Sequence, residues 1–341
     1  MKKYVILFKV GGNNMPATVT HAYFMTDIYD KLPIGLKSLL IDEKKSLRMF
    51  GQSMDPLFFY NKVSLKSGKR VQEFGEYFHT HQSQDFFINL VNYIKYNNYY
   101  KIPDVMAFLY GLMGHYFLDT TIHPFVFYKT GNFEKDKPET YQYNGKHHEM
   151  EVFLDNYFIK QREHISPYKF RFFDYCFDFK PFSAELIDVI NYTFHETFGI
   201  KNMAKFYQEA LHQMYFDLKL FRYDKYGIKH TFYKALDKIT PKTSFRFQYI
   251  SYHLPLSDKH NYLNLNHKIW HHPCQKKEQY KTSITDLYLH ALYEANKAIK
   301  DVNYYFKDKK NINLKKVFTN LSYHTGKNCL NKKTLKYFEE V

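Results

Sequence analysis

Cysteine is almost missing from this 341-residue chain: Cys176, Cys274 and Cys329 stand far apart, with no CxxC spacing. That excludes a disulfide framework and a thiolate zinc site, and it suits a reducing compartment. Glycine and proline are scarce as well, at 13 and 11, too few for a many-stranded β protein that needs frequent turns. No apolar run approaches the ~18 residues of a membrane span. The opening "MKKYVILFKV" resembles a secretory signal, but its apolar stretch stops at Lys9, short of the ~7–15 residues of a secretory core. The chain therefore reads as cytoplasmic. Several catalytic signatures are also missing: there is no HExxH, Walker loop, GxGxxG or GxSxG elbow. A carboxylate-bridged di-iron bundle needs two ExxH motifs, and only Glu209 with His212 has that spacing.

What is present is apolar and aromatic. Hydrophobic residues make up 45% of the chain and aromatics 20%, with 33 Tyr and 33 Phe, enough to bury a sizeable core. Lysine and arginine number 49 against 34 acids, a formal charge of +15, concentrated in "FKDKKNINLKK" at 306–316. Such a balance favours an anionic partner, such as nucleic acid, acidic lipid or a phosphate ester, or else a lysine-rich solvated surface.

Helical periodicity dominates, so the fold class expected is all-α. In "PDVMAFLYGLMGHYFLDTT" (103–121) Pro103 and Asp104 supply a start, and apolar residues follow for nearly five turns. Pro124 pushes His123 toward extended backbone, which predicts a helix end near Thr121. Further helices are expected at 17–31, 83–99, 146–162, 183–195, 201–221 and 281–300. The segments 51–70, 128–145, 222–235 and 251–280 read as loops. There is no internal repeat. The organised polar motifs fall within 16–165, and 166–341 reads as further helices packed on the same core.

"GHYFLDTTIHPF" (114–125) sets His115, Asp119 and His123 in a greasy run. On a helix His115 and Asp119 are i and i+4 and share a face; His147 and Glu151 in "KHHEMEVF" repeat the spacing. So do His81/Asp85 and His290/Glu294, and with 18 histidines such pairs also arise by chance. The surroundings matter more. A buried carboxylate is expensive unless something compensates its charge, and metal coordination does. From this helix alone a structural histidine and a metal site are equal readings.

The segments "MPATVTHAYF" (15–24), "GQSMDPLFFY" (51–60), "FHTHQSQDFF" (78–87), "YGLMGHYFLDTTIHPFVFY" (110–128) and "HHEMEVFLD" (147–155) occur in that order. So ordered, they resemble the bacterial zinc-dependent phospholipase C family, whose fold is shared with fungal single-strand-specific zinc nucleases. "LNLNHKIWHHP" (263–273) and the following "TDLYLHALYEA" also look like members of that family. The resemblance implies a multi-helix fold with a buried polar metal cleft holding two to three Zn2+ ions. Asp55, His79, His115 and Asp119 would hold one ion, and His123, His147 and Glu151 a second. His21 and the shared Asp119 would hold a third with the first residue of the mature chain. His79 is preferred to His81 because the family's histidine precedes a similar "DFF" helix at about this distance. His147 is preferred to His148 because only His147 keeps both ligands on one helix face.

The resemblance also implies phosphodiester hydrolysis with a metal-activated water, with Asp55 as ligand or general base. The substrate would be a phosphodiester such as a phospholipid head group. The alternatives are a zinc nuclease or small phosphodiesterase acting on nucleic acid, and a metal-bearing protein without turnover. Phe58, Phe59 and Tyr60 would form an aromatic slot for a quaternary ammonium group, or serve as core aromatics. Residues 1–15 are expected to be a mis-called start or an extension, with 16–341 as one helical domain. Pro16 stands five positions before His21, which the resemblance gives as the spacing, among the nuclease-like members, of the first residue whose amine chelates the third ion. Pro16 would then be a ligand only as the mature first residue.

Overall fold

The computed structural model describes residues 17–60, 67–252, 258–331 and 333–339. Pro16 and the expected extension 1–15 lie outside them, as do 61–66 and 253–257 within two of the expected loops. Among the described residues the chain runs through α1 (Thr18–Lys31), α2 (Ile34–Leu39), α3 (Lys44–Phe50), α4 (Ser67–Thr80) and α5 (Ser83–Tyr96). It continues through α6 (Pro103–Thr130), α7 (Lys146–Glu163), α8 (Phe172–Cys176), α9 (Ala184–Phe198) and α10 (Met203–Phe221). Then come α11 (Ile228–Ile239), α12 (Phe247–Ile250), strands β1 (Trp270–His272) and β2 (Gln275–Tyr280), α13 (Ile284–Phe306) and α14 (Leu314–Val317). The all-α expectation holds, and among the described residues the one sheet is this two-stranded antiparallel hairpin.

α6 is the axis of the molecule. Only Pro103, Phe117, Thr121 and His123 escape full burial along it, the pattern of a helix packed on every side. α3 and α13 flank it, and α1 and α7 complete its surround. Close approach is sequence-determined at Gly111, where a Cβ would stand 2.6 Å from the backbone of Phe50; only glycine lets α3 come this near. On the other side Tyr288 of α13 and Arg162 of α7 both donate to Asp27 of α1, at 2.6 and 2.8 Å, tying three helices across the core.

The expected end of this helix near Thr121 is wrong: α6 runs through Pro124 to Thr130. An interior proline costs roughly 3 kcal/mol. Here Phe125, Val126, Phe127 and Tyr128 all enter the core beyond it, and burial of large side chains at ~1.5–3 kcal/mol each outweighs that cost. Other departures are smaller. The expected loop 51–70 contains a 3-10 turn over Asp55–Phe59 and the start of α4. The expected loop 128–145 contains the end of α6 and a 3-10 turn over Pro138–Tyr143. The loop 222–235 is largely α11, and 251–280 holds the β1–β2 hairpin. None of the helices among the described residues is long and apolar enough to cross a membrane.

Candidate metal centre

The sequence-predicted ligands converge, although they come from five separate places in the fold. α1 supplies His21, the 3-10 turn after α3 supplies Asp55, and the end of α4 supplies His79. α6 supplies His115, Asp119 and His123 on one face, and α7 supplies His147 and Glu151. Three sets form, the first two sharing His115, each with its ligand atoms within 4.8 Å of one another: His21, Asp55 and His115; His79, His115 and Asp119; His123, His147 and Glu151. Individual pairs are closer. His79 Nε2 stands 2.9 Å from Asp55 Oδ1, His115 Nε2 2.9 Å from Asp119 Oδ2, and His147 Nε2 3.0 Å from Glu151 Oε1. Two ligands of one tetrahedral zinc, with bonds of ~2.0–2.1 Å, stand roughly 3.3 Å apart, so this is the right scale.

Three of the histidines are aimed by backbone carbonyls. His79 Nδ1 donates to Gly75 O at 2.7 Å, His115 Nδ1 to Gly51 O at 3.0 Å, and His123 Nδ1 to Tyr323 O at 3.1 Å. A carbonyl can only accept, so each Nδ1 carries a proton, and in the neutral ring it is Nε2 that keeps the lone pair. Metal-binding imidazoles are held in this way, with the second nitrogen tied to a carbonyl or carboxylate.

Several polar atoms of these ligands lack a hydrogen-bond partner. His21 Nδ1, Asp55 Oδ2, His79 Nε2, His115 Nε2, His147 Nδ1 and Glu151 Oε2 are buried with no hydrogen-bond partner. Buried polar atoms are rarely left so, and partnerless Asp55 Oδ2, His79 Nε2, His115 Nε2 and Glu151 Oε2, all on residues of the ligand sets, fit bound divalent ions. Burial, with the neighbouring His115, lowers the His21 pKa to about 4. Burial does the same for His147, also to about 4, so both rings are neutral donors near pH 7. Burial pushes Glu151 up to about 7. Burial opposes the charged form of His115 too, but the Asp119 and Asp55 carboxylates outweigh it and carry the ring to about 9. Burial would raise Asp119, yet His115, His123 and His21 around it hold it well below the usual carboxylate range.

Asp119 faces three of the histidines. Its Oδ1 faces His21 Nε2 at 3.3 Å while Oδ2 faces His115 Nε2, and His123 Nδ1 lies 3.8 Å from Oδ2. His21 and His115 stack with ring centroids 4.4 Å apart.

Other candidates sort differently. His81 is exposed and stacks on Tyr77, at 4.1 Å between centroids, away from the centre. His290 is exposed, and His212 is exposed and stacks on Phe179. Of the expected aromatic slot, Phe58 packs beside His79 at 5.4 Å, Phe59 is wholly in the core, and Tyr60 donates to Glu209 at 2.8 Å. The structure does not bring those three together as a slot. The cavity that reaches His147, about 560 Å³, is walled instead by Phe127, Phe133, Tyr143 and Phe245.

Sequence reasoning missed the C-terminal contribution. Tyr323 N donates to His79 O at 2.8 Å and its own carbonyl holds His123. His324 is buried, stacks 6.0 Å from His79, lies tilted 6.3 Å from His123, and lines the same cavity. Residue His148, set aside on spacing, is also buried, with Nδ1 3.6 Å from Glu151 Oε2. No local pattern marks 323–324. The hint lay in "WHHP" of 270–273: His272 Nε2 donates to Thr325 O at 3.0 Å, bracing the strap from outside.

The model of a protein family described as zinc-dependent phospholipase C matches residues 20–191. No curated protein and no solved structure matches the chain. The chain belongs to the zinc-dependent phospholipase C family.

Proposed function

We propose that the chain is a zinc-dependent phosphodiester hydrolase that carries two to three Zn2+ ions and cleaves a phospholipid-type substrate on the phosphodiester bond next to the glycerol. The observation that carries this is three buried ligand sets side by side, two sharing His115 and the third reached through His123, whose Nδ1 lies 3.8 Å from Asp119, beside a cavity of about 560 Å³. Closely spaced zinc ions supply charge neutralisation of the phosphate and a water acidic enough to ionise near neutrality. The chain's residues do the rest. Asp55, His79, His115 and Asp119 would hold one ion and His123, His147 and Glu151 another. His21 and Asp119 would hold the third, completed by Pro16 if that residue is the mature first one. The carbonyls of Gly51, Gly75 and Tyr323 keep the imidazoles in register. Asp55 Oδ2, which has no hydrogen-bond partner, is the oxygen available to accept the proton of an attacking water.

The cavity takes the substrate. Lys135 at its edge suits the phosphate charge, and the aromatic wall suits the uncharged part of the ligand. Arg246 lines the cavity, but its guanidinium donates to the carbonyls of Asp237 and Pro241 at 2.7 and 2.8 Å. It therefore holds the wall in place. Three free cysteines, none paired, suit a cytoplasmic address. The test is zinc-loaded protein against phosphatidylcholine, single-stranded DNA and bis-p-nitrophenyl phosphate. Release of diacylglycerol from the lipid supports the reading, cleavage of DNA alone makes the protein a nuclease, and turnover of none makes it a binding protein.

A further inference from the structure

α11 turns a second apolar stripe away from the core. At 3.6 residues per turn Ile228, Phe232, Ala235 and Ile239 fall within roughly 60° of arc, which is the stripe an amphipathic helix turns toward a core. Here the stripe faces solvent: Ile228 is 69% exposed, Phe232 62% and Ile239 82%. The side turned inward carries Tyr233, packed on Phe221 and Phe247 at 5.6 and 6.1 Å between centroids, half-buried Leu236 and an acid. Asp237 is buried and accepts from Phe247 N and Gln248 N, both at 3.0 Å, so it caps α12. The apolar surface continues onto the end of α10 and the turn between, where Phe216, Leu220 and Tyr226 are 58%, 60% and 76% exposed. Leu220 O accepts from Lys229 Nζ at 3.2 Å and from Tyr233 OH at 2.9 Å, which holds the two helices side by side.

The charge around this stripe has one sign. Between 216 and 242 there are seven basic residues and three acids. Two of the acids are used up internally: Asp237 as above, and Asp224 at the start of α11, accepting from Ile228 N at 2.6 Å. Lys225, Lys234, Lys238 and Lys242 are exposed, and they border the apolar residues. Large exposed apolar groups rimmed by lysine are the composition of a helix lying in the interface of an anionic bilayer. Scattered single apolar residues would need no explanation, whereas a contiguous patch does.

We propose that α11 and the end of α10 form a surface that docks on an anionic lipid bilayer, apolar side chains inserting among the acyl chains and lysines meeting the head groups. The position supports this. Residues 243–246, which directly follow α11, wall the cavity beside the metal centre, so docking brings the cavity mouth to the lipid. That last step rests on the hydrolase reading above; the docking face itself does not.

The test is flotation of the full chain with vesicles of phosphatidylcholine alone or mixed with phosphatidylglycerol, at low and high salt. Two double variants, Phe232→Ser with Ile239→Ser and Lys234→Glu with Lys238→Glu, are compared with the wild type. All four sites are exposed, so circular dichroism should be unchanged. The wild type should bind mixed vesicles, more weakly at high salt. Each double variant should bind about tenfold or more weakly, while hydrolysis of soluble bis-p-nitrophenyl phosphate is retained. Absence of vesicle binding by the wild type, or equal binding by the variants, overturns the proposal. So does a doubling of mass in light scattering that Phe232→Ser with Ile239→Ser abolishes, which would make the patch a self-association face. Vesicle binding as expected with turnover of neither phosphatidylcholine, single-stranded DNA nor bis-p-nitrophenyl phosphate would uphold the docking face and refute the hydrolase reading.

Discussion

Asp155 Oδ1 accepts both the backbone N–H of Thr20, at 2.7 Å, and its hydroxyl, at 2.8 Å. Oδ2 accepts from Val19 N at 3.1 Å and from Tyr252 OH at 2.8 Å. One carboxylate on α7 thus caps the first turn of α1, whose own N-terminal N–H groups have no partner within the helix. Asp155 follows Glu151 by one turn of α7, and Thr20 precedes His21. The capping contact is therefore also the device that sets His21 against the ligands of α6 and α7.

Asp155→Ala should cost about 3 kcal/mol or more, because it leaves four donors stranded in the interior. Urea unfolding should show a lower midpoint at unchanged slope, and the folded variant should hold less zinc. Wild-type stability would mean that the cap contributes nothing.

Asp119→Asn should lose more than one zinc ion per chain by elemental analysis, because Asp119 faces His21, His115 and His123 at once. Changes at residues behind a ligand already cost ~10–100-fold in metal affinity or activity, so loss of a shared ligand should cost at least ~100-fold in turnover. Full zinc retention would refute its bridging role.

Zinc affinity should rise with pH through about 7. In the zinc-free protein burial holds the Glu151 pKa near 7, and the carboxylates beside His115 hold that ring near 9. A metal needs Glu151 as carboxylate and His115 as neutral imidazole, so the bound state carries fewer protons than the free one. Affinity is then lost as pH falls and gained as it rises. Calorimetry in buffers of different ionisation enthalpy should detect proton release at pH 7. Proton uptake, or affinity flat between pH 6 and 8, would contradict this.

Gly326→Ala should lower thermal stability and selectively weaken zinc at the His123, His147 and Glu151 set. Gly326 has φ +58°, and a Cβ there would meet Thr120 O at 2.4 Å. Relieving that clash moves the strap whose Tyr323 carbonyl holds His123. The expected destabilisation is ~1–3 kcal/mol, read by the melting temperature and by zinc stoichiometry. A variant that melts and binds zinc like the wild type would separate the strap from the metal centre.

Much of the centre is visible locally. His115 and Asp119, and His147 and Glu151, are four apart on helices whose burial is evident from their aromatic neighbours, and the helical period alone puts each pair on one face. Helix starts were legible for the same reason: α6 begins at Pro103 and α9 after Ser183, which caps it by accepting from Leu186 N at 3.0 Å. α11 was missed even though its apolar positions recur at helical spacing. They mark a stripe, and nothing in the spacing says whether a stripe meets a core or solvent.

The amino-acid order by itself determined the helical class, the position of most helices and the two ligand pairs, because each depends on residues within one or two turns. Tertiary structure alone decided that the two pairs meet, that Asp55 and His79 join them, and that Tyr323 and His324 cover them from two hundred residues away. It also decided that α6 survives Pro124. The physical reason is common to all of these. Contacts between distant segments are set by which apolar faces exclude water together around α6, and that packing energy overrides local preference wherever enough large side chains become buried.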